Sequence, residues 1–147
     1  LSEFGTFISL PSRSDLNKLI MDAMKKRVGD GVNFLTAPMV KDAYKNLQYH
    51  KDAVNRMTPE GKDRLIKTFA GLRKREGNVE IKNIPDSLRR YAFGFMKLND
   101  KIETIKNHDI LLVDDTIGSG ASLVEALRLL KPFYKKELWF FAFLKDY

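Results

Sequence analysis

Two adjacent carboxylates, Asp114 and Asp115, stand between an apolar run and a stretch of small residues. The run is Ile110, Leu111, Leu112 and Val113, and the stretch Thr116 to Ser122 holds Gly118, Ser119, Gly120 and Ser122. A short continuous apolar run reads as a parallel strand buried on both faces, which places the acids where that strand should leave its sheet. Leu123 to Lys131 then reads as an amphipathic helix. A small-residue loop opening a helix can aim backbone N–H groups at an anion, and the positive end of the helix dipole adds to the attraction. Carboxylates beside such a cradle would repel a bare phosphate. They fit a ligand that also carries a sugar diol, whose hydroxyl hydrogens two carboxylates accept.

Rival chemistries fail on spacing. A Walker phosphate loop needs Gly-Lys-Ser/Thr after its glycines, and no lysine follows Asp115 before Lys131. Haloacid-dehalogenase-type phosphatases place Asp-x-Asp after the strand, where this chain has Asp114-Asp115-Thr116. Response-regulator receivers carry their acidic pair near the start of a domain, and too few residues follow Asp115 for that. The plain alternative is a generic strand-loop-helix turn with Asp as a helix cap.

The stretch Ile110-Leu111-Leu112-Val113-Asp114-Asp115-Thr116-Ile117-Gly118-Ser119-Gly120-Ala121-Ser122 resembles the 5-phosphoribosyl-1-pyrophosphate (PRPP) motif of the type I phosphoribosyltransferases. That pattern is four apolar residues, two acids, a few variable positions, then Thr or Ser, Gly, a small residue, and Thr or Ser. Gly118-Ser119 stands where many members carry Thr-Thr, which removes one hydroxyl and keeps the loop compact. A looser resemblance points to the competence-protein (ComF-like) branch and its phage or plasmid relatives. It rests on Ser9-Leu10-Pro11-Ser12-Arg13-Ser14-Asp15-Leu16-Asn17, and on Arg90 with Phe93 or Phe95 ahead of the motif strand.

The resemblance implies a role for each residue. Asp114 and Asp115, the catalytic pair, would bind the ribose 2- and 3-hydroxyls directly or through magnesium (Mg2+), the implied cofactor. Thr116, Ile117, Gly118, Ser119, Gly120, Ala121 and Ser122 would hold the 5-phosphate. Ser12, Arg13 and Ser14 would face the pyrophosphate, Arg13 offering a fork suited to phosphate oxygens. The implied reaction is displacement of pyrophosphate from ribose C1 by a nitrogen nucleophile of an unidentified base or related acceptor. The resemblance equally covers regulators that keep the ligand site without catalysis.

The elements that must position these residues alternate. Phe4 to Leu10 reads as a strand and Asp15 to Arg27 as a helix, with Leu16, Leu19, Ile20, Ala23 and Met24 at helical spacing. Ser14 or Asp15 can cap that helix. Val32 to Leu35 is a short strand after Gly29-Asp30-Gly31. Lys41 to Asn55 and Thr58 to Lys74 read as two polar helices, Pro85 to Arg89 as a short helical turn, and Ala92 to Leu98 as a strand. Glu137 to Leu144, dense in aromatics, reads as a strand from a sheet interior. The expectation is one α/β domain over residues 1–147, a phosphoribosyltransferase-like, Rossmann-like, mostly parallel sheet flanked by helices. Residues 41–76 form a polar helical insertion in it, and no hood subdomain is evident. Ligands of such sheets bind at strand carboxyl ends, where both the Leu10–Ser14 and Asp114–Ser122 turns fall.

Composition sets the partners. The chain has 147 residues, 44% hydrophobic and 31% charged, with a formal charge of +7 and no cysteine. The absence of cysteine excludes disulfides and thiolate metal sites, and with no signal peptide in view a cytoplasmic setting is expected. No apolar run reaches the roughly 20 residues of a membrane helix. The positive charge favours an anionic partner: a small phosphoribosyl substrate, or nucleic acid along Lys62, Arg64, Lys67, Arg73, Lys74 and Arg75. Neither His50 nor His108 stands in a catalytic pattern, and a homo-oligomer is compatible with a chain whose given sequence stops just past an aromatic strand.

Overall fold

The apolar run before the acid pair lies at the centre of a parallel sheet in the computed structural model, which describes residues 5–12, 15–36, 38–105 and 108–145. The chain folds as two compact units: residues up to Val40 with Leu98–Gly118 and Ala126 onward, and Lys41–Lys97 with Ser119–Glu125. The first unit opens with β1 (Thr6–Ser9), α1 (Leu16–Val28) and β2 (Asn33–Leu35). Strand β3 (Met39–Lys41) carries the chain into the second unit, which holds β4 (Gln48–Tyr49), α2 (Lys51–Val54), α3 (Pro59–Arg73), α4 (Asp86–Arg89) and β5 (Ala92–Phe93). After β6 (Met96–Leu98) come β7 (His108–Ile117), α5 (Ala121–Leu130) and β8 (Tyr134–Lys145).

The main sheet runs β2-β1-β7-β8 with every pairing parallel, so the fold is mixed α/β. All four residues of β1 are buried, as are Ile110 to Val113 of β7, because a central parallel strand has neighbours on both edges and cover on both faces. The chain steps from β1 out to β2 on one side and from β7 out to β8 on the other. The direction of winding therefore reverses between β1 and β7, the switch point at which open α/β sheets bind ligands.

One face of this sheet packs Phe7, Leu111 and Val113 against Met21 of α1, with Ile20, Met24, Val28, Val32 and Phe34 around them. The helix presents a different face from the expected one. Leu19 is 62% exposed while Asn17 and Met21 are buried, so the packed stripe is Asn17, Ile20, Met21, Met24 and Val28. Two leucines at plausible spacing outweighed a polar residue in the sequence pattern.

Strand β8 corrects a second expectation. It lies at the edge of the sheet, not in its interior, and Trp139 and Phe141 share one exposed side. Strand alternation sends Leu138, Phe140 and Ala142 the other way, where they are half-buried. The Trp139 indole donates to Glu137 Oε2 at 2.7 Å. The expected strand start at Phe4 lies outside the described residues.

The second unit departs most from the sequence pattern. Lys41 to Asn55 is not a helix but β3, one 3-10 turn, β4 and the single turn α2. Asp42 explains the break: its Oδ1 accepts from its neighbour's amide at Ala43 (2.8 Å) and from Asn46 Nδ2 (2.9 Å), an arrangement that competes with helical bonding. Helix α3 matches expectation, with Pro59 in its first turn and Thr58 Oγ1 accepting from Gly61 N at 3.2 Å. Its apolar stripe of Leu65, Phe69 and Leu72 is buried. The strand expected over Ala92–Leu98 is split at Gly94, where φ is +73°. β5 pairs antiparallel with β4, and the Gly94 amide donates to the buried Glu125 Oε1 at 2.7 Å. No helix among the described residues is long and apolar enough to cross a membrane.

Candidate functional site

The acid pair sits where one ladder stops and the other continues. Pairing of β7 with β1 ends at Ser9 opposite Val113, closed by the Leu10 amide donating to the Val113 carbonyl at 2.9 Å. Pairing with β8 runs on through Asp114 opposite Ala142 to Ile117 opposite Lys145. Asp114 and Asp115 were expected to leave the sheet; they remain in β7 and lose only the β1 neighbour. Their backbone stays fixed by the ladder to β8 while β1 turns off through Pro11 and Ser12.

The carboxylates are held from the β1 side. Ser12 Oγ donates to Asp115 Oδ2 at 3.1 Å, joining one residue of the expected pyrophosphate loop to the second acid. Asn17, in the first turn of α1, uses both amide hydrogens: Nδ2 lies 3.0 Å from the Leu10 carbonyl and 3.2 Å from Asp114 Oδ1. A flipped amide would set its oxygen against two other oxygens, so the bonding fixes the orientation. Asn17 Oδ1 is buried with no partner among the described residues. Asp114 Oδ1 also accepts from the Asp115 amide at 2.9 Å.

Burial pushes the Asp114 carboxyl up to about 6. The neighbouring Asp115 adds to the rise, and the bonds from Asn17 and the Asp115 amide oppose it. Two carboxylates side by side, one half-desolvated, favour any ligand that offers hydroxyl hydrogens or a cation.

Beyond Gly118 the loop is shaped by its own small residues. Gly120 takes φ +73°, Ser119 Oγ accepts from the Ala121 amide at 3.4 Å, and the Gly120 carbonyl accepts from the Val124 amide at 3.0 Å, starting α5. The loop thus enters the helix through a local turn that the Ser119 hydroxyl closes onto the amide two residues on. Ser122 is half-buried, and the side chain of Thr116 is outside what is described. Arg13 and Ser14 also lie outside the described residues.

Magnesium would need oxygen donors, and Asp114 and Asp115 provide hard carboxylate oxygens of the required kind. No cluster of three or more His, Cys, Asp or Glu suited to a metal exists among the described residues. The two carboxylates would supply only part of the oxygen shell such an ion takes. His50 is exposed and stacked on Phe93 at 4.6 Å, away from any carboxylate partner among the contacts described for it. Of the basic run, Lys67 is paired with Asp63, Arg73 donates to the Leu47 carbonyl, and Arg75 lies over the Tyr44 ring.

Asn17 is the residue that sequence reasoning passed over as a contributor to the site. Its signal was present: an asparagine in register with Ile20, Met21 and Met24 on one helical face is a polar group where an apolar one would pack.

A family model described as a phosphoribosyl transferase domain matches residues 50–146, more than half of the chain. The match takes in β7, the acid pair and the loop that follows, and begins beyond β1. No curated protein and no solved structure matches the chain. A mixed α/β fold with a parallel four-stranded sheet is consistent with that match, and the chain belongs to the phosphoribosyl transferase domain family.

Proposed function

We propose that the protein binds PRPP with magnesium and transfers its phosphoribosyl group to a nitrogen acceptor, releasing pyrophosphate. The observation that carries this reading is the position of Asp114 and Asp115 where the β1 ladder ends and β7 continues, at the switch point of the sheet. On this reading both carboxylates accept the ribose hydroxyl hydrogens, and Thr116 to Ser122 surround the 5-phosphate with backbone N–H groups and the Ser119 and Ser122 hydroxyls. Ser12, with Arg13 and Ser14, faces the pyrophosphate.

In the reaction the C1–O bond to pyrophosphate breaks ahead of C1–N bond formation, and the leaving group takes the electron pair. Positive charge grows on the ribose ring, and the Asp114–Asp115 pair provides negative charge beside it. Magnesium, when bound, neutralises the departing pyrophosphate. Asn17 and Ser12 keep the two carboxylates from rotating, so the field facing the ring is set before the ligand arrives.

Calorimetric titration with PRPP, with and without magnesium, tests the binding. The expected result is magnesium-dependent binding at about one site per chain, lost in the double variant Asp114→Asn, Asp115→Asn while the folded baseline in circular dichroism is kept. Undiminished binding by that variant, or none by the wild type, overturns the reading. Where binding holds, pyrophosphate release across a panel of nitrogen bases identifies the acceptor.

A further inference from the structure

In the second unit, three cations face one open depression. Lys45, Lys51 and Arg73 line it together with Leu47, Gln48 and Tyr49, and no carboxylate is among the lining residues. Like charges around one opening repel, and surfaces ordinarily relieve this by interleaving acids. Several acids of this unit are engaged elsewhere: Asp42 with Asn46 and Lys97, Asp63 with Lys67, Glu80 with Lys41, and Asp86 with Arg89. Among the described residues, Lys45, Lys51 and Arg73 form no salt bridge.

Arg73 is the fixed member. It ends α3, its Nε donates to the Leu47 carbonyl at 2.7 Å, and its guanidinium lies 5.5 Å from the centre of the Tyr49 ring. Tyr49 in turn meets the fully buried Phe69 edge-on at 5.2 Å. The guanidinium is therefore anchored to the core of the unit through one nitrogen and one ring, while its terminal nitrogens make no hydrogen bond among the described residues. A planar fork held this way loses little entropy on meeting phosphate oxygens. Lys45 and Lys51, both exposed, add charge at the same opening without contributing to the packing. An arginine serving only to satisfy the Leu47 carbonyl would not account for two further unpaired cations beside it.

We propose that this depression is an anion site for a phosphate-bearing ligand, formed by residues other than those of the acidic motif, with Arg73 as its preorganised fork and Lys45 and Lys51 as its flanking charges.

The test uses the whole chain and two probes at low salt, inorganic tripolyphosphate and a short single-stranded oligonucleotide. The double variant Lys45→Gln, Lys51→Gln changes exposed side chains only, and Arg73→Lys keeps the charge while removing the fork. At least one probe is expected to bind the wild type, about tenfold more weakly to the double variant and severalfold more weakly to Arg73→Lys. Three phosphate contacts predict a log–log salt slope of about −2 for the oligonucleotide, falling to about −0.7 when one contact remains. Tripolyphosphate alone binding marks a small phosphorylated ligand; oligonucleotide binding with that slope marks a nucleic acid strand. Either supports the site. Binding of neither probe, or equal affinity of the double variant and the wild type, overturns it. The signal is also expected to survive in Asp114→Asn, Asp115→Asn, so loss of PRPP binding and loss of this site are read separately; loss of the signal there overturns the assignment to this depression.

Discussion

The Asn17 amide bonds the Leu10 carbonyl and Asp114 Oδ1 at once, at 3.0 Å and 3.2 Å, so one side chain of α1 ties the end of β1 to the first carboxylate of β7. The tie crosses the switch point of the sheet. It fixes an acid that the ladder to β1 no longer reaches, since that pairing ends at Val113.

Removing the tie should cost both stability and ligand affinity. Asn17→Ala leaves the Leu10 carbonyl without its buried donor, a loss of about 1–3 kcal/mol. Asn17→Asp replaces a donor by a carboxylate facing Asp114, and it should be worse than Asn17→Ala near neutral pH and recover on acidification as one acid of the pair takes a proton. Urea unfolding at two pH values separates the two variants, and PRPP titration should show each weaker than the wild type. An unchanged unfolding midpoint for Asn17→Ala would mean that the amide bonds contribute nothing net.

Asp114 itself should lower the stability of the folded chain at neutral pH. Burial raises its carboxyl to about 6, against 3.8 for the ordinary group. Between those values the folded protein keeps a proton that the unfolded chain has released. Its contribution to stability is therefore full below about pH 4 and is lost as pH rises through about 6. Asp114→Asn removes this dependence, so the variant should melt higher than the wild type at about pH 7 and converge with it toward about pH 4. Scanning calorimetry across that range checks the sign; a lower melting temperature for the variant at neutral pH contradicts it. The same substitution should abolish PRPP binding, which separates the group's function from its effect on stability.

Sequence pattern revealed the motif more fully than its surroundings, for physical reasons visible in particular residues. The run Ile110 to Val113 was legible as a strand because it is short, unbroken, rich in β-branched residues and followed by a glycine-containing loop, a combination that favours a buried strand over a helix. Where β7 stops was not legible, since the ladder beyond Val113 depends on β8, which lies later in the chain. The aromatic content of β8 suggested an interior strand, but only the strand order places Trp139 and Phe141 on an exposed side at the edge. In α1 the choice of face was lost because Leu19 competes with Asn17 at similar spacing, and the deciding contact, Asp114, lies far away in sequence. Lys41 to Asn55 failed as a helix through Asp42 and Asn46, whose short side chains bond locally in a way that residue periodicity does not register.

Gly94 should tolerate no side chain. Its φ of +73° is already unfavourable for an L residue, and a Cβ there would lie 2.6 Å from the Asn46 carbonyl oxygen, a backbone atom that cannot swing aside. The strain would also disturb the bond from its amide to the buried Glu125. Gly94→Ala should destabilise the protein by about 2–4 kcal/mol. Urea unfolding measures this directly, and a change below about 1 kcal/mol would show that the β4–β5 connection yields more readily than its geometry implies.

Gly118 offers the sharpest separation between folding and ligand contact. A Cβ built there meets nothing within 4 Å and its backbone is not in the left-handed region, whereas Gly120 is equally open but has φ +73°. Gly120→Ala should therefore cost about 1 kcal/mol through backbone strain alone, and Gly118→Ala should stay within about 0.5 kcal/mol of the wild type. If the loop cradles the 5-phosphate with its backbone N–H groups, the ligand must come close to the main chain at Gly118, and a methyl group there stands in the way. Gly118→Ala should then lower PRPP affinity by about tenfold or more with no loss of stability. Unaltered affinity in that variant would move the phosphate contact away from Gly118, toward Ser119 to Ser122 at the start of α5.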